Sequence, residues 1–266
     1  MTGPLTSPAA EPAVRRISVV KAGEQARYIT LETISAQRGA RIELASGQER
    51  LAVVMTGRVR VSTDGHRELG TAGCRDSVFD GPGDAVYLPP GVGAGLVVED
   101  EAGVAVASAA AGPLEPGPPR IIRAAEQRVA TVGRTSWQRS VRTILGPDDA
   151  ASRLLVGETI NEPGRWSSYP PHRHDRESAD EVALEEVYLY RVSPSDGFGV
   201  QVRYDSDENR EARVVRDGDV SVIRSGFHPV VAAPGYRLYY LWIMAGEGRV
   251  TRGYIDPRYR WIEAAP

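Results

Sequence analysis

Residues 216–246, RDGDVSVIRSGFHPVVAAPGYRLYYLWIMAG, hold the pattern that decides the fold. They read Gly-Asp, a short strand, a turn ending in Gly, a strand, a Gly-containing turn and a last strand. Residues 81–112, GPGDAVYLPPGVGAGLVVEDEAGVAVASAAAG, repeat that order. Gly83 corresponds to Gly218, and Gly91 to Gly226. Internal duplication of a β-barrel unit is the economical reading. The rest of the chain agrees: short apolar or alternating runs such as RLAVVM, RVRVST, EEVYLYRV and GVQVRYD recur. Turn signals such as MTGR, DEAG, DGDV and APGY separate them, and long amphipathic helical patterns are nearly absent. Many short strands between Gly, Pro and Asp turns predict an all-β sandwich or barrel.

GPLEPGPPR, residues 112–120, is the clearest linker. The expected organisation is a disordered lead-in over 1–15, a barrel over 16–111, the linker, and a second barrel over 121–266. The lead-in has no apolar core of a signal peptide. The chain's net charge of -3 gives no electrostatic case for nucleic acid or an anionic membrane. No apolar run approaches the roughly 18 residues of a membrane helix. A single cysteine, Cys74, permits no internal disulfide and fits a reducing, cytoplasmic setting.

The chain has 4 histidines, and His172 and His174 stand one residue apart in SSYPPHRHD, residues 167–175. In a strand, residues two apart share a face, so two imidazoles there are half of a metal site. Alone the pair is a weak signal. The upstream H-x-H, followed by a Gly-Asp strand and a turn ending in Gly, resembles the cupin superfamily of double-sheet jelly rolls. That resemblance completes the set with Glu186, opening EVYLYR, and His228, in SGFHPV. Glu185 competes with Glu186, but neighbours in a strand face opposite ways and only one can enter the barrel. Glu186 shares its parity with Tyr188 and Tyr190. Three imidazoles and a carboxylate suit one divalent ion, Zn or Mn first, with Fe, Ni or Co as alternatives. In the first half no H-x-H occurs, the position of His228 falls near Ala94, and His66 sits alone in a polar loop. The first barrel is expected to be metal-free.

WSSYPPHRHD, LEEVYLYRVSPSDGFG and GFHPVVAAPGYRLYYLWIMAG together resemble one bicupin family of sugar isomerases. It contains the 5-deoxyglucuronate isomerase of myo-inositol catabolism and the 5-keto-4-deoxyuronate isomerase of the pectin pathway. The resemblance runs through nearly the whole chain. It implies a cytoplasmic, metal-dependent aldose–ketose isomerase converting 5-deoxy-D-glucuronate to 5-dehydro-2-deoxy-D-gluconate, with metal ligands His172, His174, Glu186 and His228. Three departures bear on substrate: Arg224 replaces a turn proline, Val202-Arg203 replaces an Arg-Val order, and Trp242 stands where a polar residue is usual. A paralogous isomerase of another uronate or deoxy sugar, or a cupin dioxygenase, is the alternative.

Isomerisation needs a proton shuttle, for which a metal-bound hydroxide, the ligand carboxylate Glu186 and Tyr190 are the candidates. A uronate needs a cationic clamp, best an arginine. By parity Arg173 and Arg191 point away from the metal, which leaves Arg203 and Arg142. Arg203, Tyr240 and Trp242 are the expected substrate contacts. The expected partner is a small sugar acid, and bicupins associate through sheet edges, so a homo-oligomer is expected.

Overall fold

The computed structural model describes residues 13–264. Most of the expected lead-in, residues 1–12, lies outside them, but Val14 and Arg15 already pair with Ala36 and Ser35 in an antiparallel ladder. Apart from short 3₁₀ turns and one terminal helical turn, Trp261–Ala264, the described residues form strands, turns and loops. None of their helices is long and apolar enough to cross a membrane. Every ladder between strands is antiparallel.

In the first half, one row runs Val14–Val20, Ile29–Ala36, Ala102–Ala109, Glu49–Thr63, Ala85–Leu88 and Arg120–Ile122. The 15-residue strand Glu49–Thr63 belongs to both walls of the barrel. Its start pairs with Ala85–Leu88 and Ala102–Ala109, and its end with Glu68–Arg75 and Ala94–Val98. The corner is Gly57, where the register shifts and φ is +76°. A Cβ there would stand 2.0 Å from the Glu101 carbonyl oxygen, so only glycine fits. The interior is packed with Ile34, Ile42, Leu44, Val54, Leu88 and Leu96.

In the second half, a six-stranded sheet runs Arg128–Val132, Arg139–Leu145, Leu155–Asn161, Arg237–Gly246, Leu184–Ser193 and Val220–Ile223. A four-stranded sheet of Trp166–Ser167, Val230–Ala232, Gly199–Tyr204 and Arg210–Val215 completes the barrel. His172–Arg173 pairs separately with Tyr254–Ile255. The two halves are jelly rolls in tandem, a bicupin arrangement. The polypeptide entering the second barrel stays against the first: Arg120–Ile122 pairs with Ala85–Leu88, and the Gln127 amide donates to the Gly83 carbonyl.

The barrels share a third apolar core between them, in which Ile29, Leu51 and Val53 meet Leu154, Val187, Leu189 and Leu241. This contact explains why Leu184–Tyr190 is buried on both faces. Even residues 186, 188 and 190 enter the second barrel, while 187 and 189 face the first. Two carboxylates stitch the contact reciprocally. Glu49 of the first barrel accepts the backbone N–H groups of Ser152, Arg153 and Leu154 of the second, at 2.5, 2.8 and 2.8 Å. Glu185 of the second accepts those of Arg27, Tyr28 and Ile29 of the first, at 2.6, 2.7 and 2.7 Å. Deeper in, Glu158 holds Arg75 from the first barrel, Arg142 from its own, and the Tyr239 hydroxyl.

Candidate metal centre

His172 and His174 are positioned by the ladder with Tyr254–Ile255 and by the strand that follows. Arg173 between them turns away, its Nε donating to Glu181 at 3.0 Å with the guanidinium over the Phe227 and Tyr254 rings. His174 and Leu184 bond each other twice: the Leu184 N–H donates to the His174 carbonyl, and His174 Nδ1 donates to the Leu184 carbonyl at 2.9 Å. Gly226, with φ of +84°, makes the turn that delivers His228 into the barrel. The next residue after His174, Asp175, accepts the Gly226 N–H at 2.6 Å and so ties the two ligand loops together. In the turn, Arg224 replaces a rigid proline but gains a different anchor. Its Nε and Nη2 donate to the carbonyls of Gln25 and Glu24 in the first barrel, at 2.8 and 2.7 Å.

The three imidazoles converge, each offering a nitrogen within 4.8 Å of the others. Glu186 Oε2 stands 3.2 Å from His174 Nε2 and 3.3 Å from His228 Nε2. His228 Nδ1 donates to the Gly226 carbonyl at 2.9 Å, which leaves its Nε2 as a lone pair, buried and without a hydrogen-bond partner. By the same tautomer logic His174 Nε2 is also a lone pair. Ring nitrogens and a carboxylate oxygen this close and this buried form a donor set that a cation would satisfy. A divalent ion fits that donor set.

The electrostatics separate the rings: burial acts to lower the His174 pKa, but its contacts with Glu186 and the Leu184 carbonyl outweigh burial and raise it. Burial first, and then the neighbouring His228 and His174, lower the His172 pKa to about 3, so the ring is neutral and able to ligate. Burial acts to raise the Glu186 pKa, but its contacts with His174 and His228 outweigh burial and hold it below the ordinary carboxylate range. Burial pushes the Tyr188 and Tyr240 hydroxyls up, so both keep their protons.

A cavity of about 220 Å³ opens on the cluster, below the range of about 300–1,000 Å³ typical of drug-sized pockets. Arg139, Thr159, Ser168, Tyr188, Tyr240 and Trp242 line it along with His172, His174 and Glu186. The Tyr188 hydroxyl lies 3.0 Å from Ser168 Oγ, and the Tyr240 hydroxyl donates to Ser167 Oγ at 2.9 Å. Trp242 is accommodated because Gly157 faces it, where a Cβ would stand 2.1 Å from the indole.

Not every expected site residue stands there. Tyr190 shares the barrel interior with Glu186 but lies behind Tyr188 and Tyr240 and lines no part of this cavity. Arg203 opens onto a different hollow beside Glu211 and Arg213, and its Nη1 donates to the Val222 carbonyl. Arg142 faces the first barrel and is held by Glu158. Two arginines line the cavity, the exposed Arg252 and Arg139, the latter on the other face of the same strand as Arg142. Glu185 and Glu186 divide as strand parity requires, one to the inter-barrel contact and one to the cavity.

Comparison with known proteins places this site in a family. A model of the KduI/IolB family matches residues 6–262. The chain belongs to the KduI/IolB family. Among curated members, the 5-deoxy-glucuronate isomerase of Geobacillus kaustophilus is 36% identical over 267 residues, covering 97% of this chain and 94% of the relative. That of Bacillus licheniformis is 35% identical over 250 residues, covering 92% and 91%. An IolB-like protein of Salmonella typhimurium superposes with a TM-score of 0.87 at 32% identity, covering 93% of this chain and 94% of its own. The oxalate decarboxylase of Lactobacillus farciminis, at 11% identity and a TM-score of 0.67, shares the bicupin fold.

Proposed function

We propose that this KduI/IolB-family isomerase converts 5-deoxy-D-glucuronate to 5-dehydro-2-deoxy-D-gluconate with one divalent ion held by His172, His174, Glu186 and His228. The observation that carries the reading is the convergence of three imidazoles and one carboxylate at a small, polar-walled cavity. A curated relative 36% identical across nearly the whole chain bears the name of that activity. The donor set suits Zn or Mn, and accepts Fe, Ni or Co. When bound, such an ion would polarise the sugar carbonyl and stabilise the negative charge that develops on its oxygen.

The chain's own residues supply the rest. Tyr188, kept protonated by burial, presents a hydroxyl that donates to a sugar oxygen as charge grows on it, whereas the Tyr240 hydroxyl, whose proton goes to Ser167, accepts from a sugar hydroxyl. Ser168 and Ser167 fix the direction of those hydroxyls, so little reorganisation accompanies reaction. Glu186, held ionised, is an acceptor throughout and a weak base. Tyr188 is therefore the better-placed proton donor, since Tyr190 lies one layer deeper. Small-residue packing under Trp242 gives the sugar ring or chain a flat apolar wall.

The test is turnover of 5-deoxyglucuronate by metal-reconstituted protein, followed as ketose formation by NMR, with His228→Ala beside the wild type. Turnover in the wild type, lost together with bound metal in the variant, supports the reading. Bound metal without turnover under any of the five ions rejects it.

A further inference from the structure

Of the two arginines lining the cavity, Arg139 is half-buried and incompletely bonded. Three buried arginines, Arg153, Arg249 and Arg75, spend all three nitrogens on protein acceptors, and buried Arg142, whose Nε has no partner, is paired with Glu158. Arg153 donates from Nε, Nη1 and Nη2 to the carbonyls of Ala110, Gly246 and Ala111. Arg249 does the same with Leu154, Pro147, Asp149 and Gly146, and Arg75 is satisfied by Met55, Gly81 and Glu158. Arg139 donates only from Nη1, to the carbonyls of Trp137 and Tyr169 at 3.3 and 3.1 Å. Among the described residues, its Nε and Nη2 have no acceptor, and no carboxylate pairs with it.

That leaves a positive charge facing the same cavity as the histidine cluster. Its field reaches His172, Tyr188 and Tyr240. An arginine does not discharge in a protein, so a partly desolvated guanidinium without a counterion is set up to receive an anion. The two unused nitrogens form one edge of the fork, and that edge matches the two oxygens of a carboxylate. Arg252, the other arginine at the cavity, is exposed and donates to the Ala179 carbonyl.

We infer that Arg139 binds the carboxylate of the sugar acid through Nε and Nη2, at the end of the substrate away from its carbonyl, and thereby sets the preference for uronates over neutral sugars. Only the identity of the sugar acid rests on the proposed isomerase activity. The anchoring of Nη1 to Tyr169, three residues before His172, holds the clamp and the ligand loop at a fixed separation.

The test measures binding by calorimetry to metal-loaded protein, with 5-deoxyglucuronate and with 5-deoxyglucose, which carries an alcohol in place of the carboxylate. The wild type is expected to prefer the acid. Arg139→Met should weaken the acid roughly 100-fold, change the alcohol less than about twofold, and keep the metal content of the wild type. Arg139→Lys should recover part of the loss, since it returns the charge without the fork. Equal binding of acid and alcohol by the wild type, or equal loss of both in Arg139→Met, would overturn the inference. A wild type that prefers the acid through Arg139 but does not isomerise it would leave the clamp standing and reject the activity.

Discussion

The two barrels share a frame and differ in what fills it. Glu49 and Glu185 occupy equivalent strands and perform the same task, each accepting three backbone N–H groups of the opposite barrel. One residue further on they part. In the first barrel the position holds Arg50, whose guanidinium bonds the nearby carbonyls of Ala45 and Gln48. In the second it holds Glu186, aimed at His174 and His228. The first interior is closed by Leu88, Leu96 and Val54, whereas the second leaves room beside Tyr188 and Tyr240. Because strand neighbours point to opposite faces, one dipeptide serves both the scaffold and the chemistry. The duplicated fold is therefore maintained by one face, while the other is free to become either core or site.

Five substitutions test that division. The largest effect is expected from Glu186→Ala, which should lower turnover at least about 10³-fold and abolish tight metal binding. Metal content by mass spectrometry and urea unfolding of the metal-free protein would show that the frame survives. Glu185→Ala should do the reverse. Leaving three enclosed N–H groups without an acceptor should cost about 3 kcal/mol of stability in urea unfolding, with a smaller effect on the affinity of the folded protein for metal. Glu49→Ala should match it within about 1 kcal/mol if the two carboxylates are equivalent supports. A large asymmetry between them would break the comparison.

Asp175→Ala tests whether the loops of the second barrel are held for ligation. It removes the acceptor of the Gly226 N–H, and metal affinity should fall about 10- to 100-fold with the cavity residues intact. An unchanged metal titration would mean that the ligand loops need no tie. The smallest effect concerns the segment found only behind the second barrel. Asp256 accepts the Tyr204 hydroxyl at 2.8 Å and the Arg258 guanidinium, and holds Tyr254–Ile255 against His172. Burial acts to raise its pKa, but the bonds from Arg258 and Tyr204 outweigh burial and lower it. A depressed carboxyl contributes stability that is present above its unfolded value, near about pH 4, and is lost as pH falls below it. The stability gap between the wild type and Asp256→Asn should therefore be open at about pH 6 and close toward about pH 3. A gap independent of pH would locate the contribution elsewhere.

Parity and motif order carry much of the second barrel's geometry before any coordinates. The facing of Glu186, Tyr188 and Tyr190 follows from the period of two, and the opposite facing of Glu185 with it. Depth does not. Which tyrosine reaches the cavity depends on where the strand ends relative to the ligand loops, and Tyr188 rather than Tyr190 is at that level. The cationic position was equally hidden. In RSVRTIL, Arg139 and Arg142 fall on opposite faces, but nothing in the run says which face turns inward. Long-range pairing with Leu155–Asn161 decides it, and sends Arg142 to Glu158 and Arg139 to the site. Arg203 illustrates the same limit, since a strand of the four-stranded sheet can contribute to the barrel wall without reaching its mouth.

The crossed carboxylates have a consequence for chain connectivity. Each half ends its own folding only when the other supplies the acceptor for three of its N–H groups, while the covalent join between them passes through exposed residues around Leu114 and Glu115. Protease scission there would leave every one of those cross-barrel bonds in place. The two pieces would persist as a non-covalent pair, and each would be an incomplete fragment awaiting its complement.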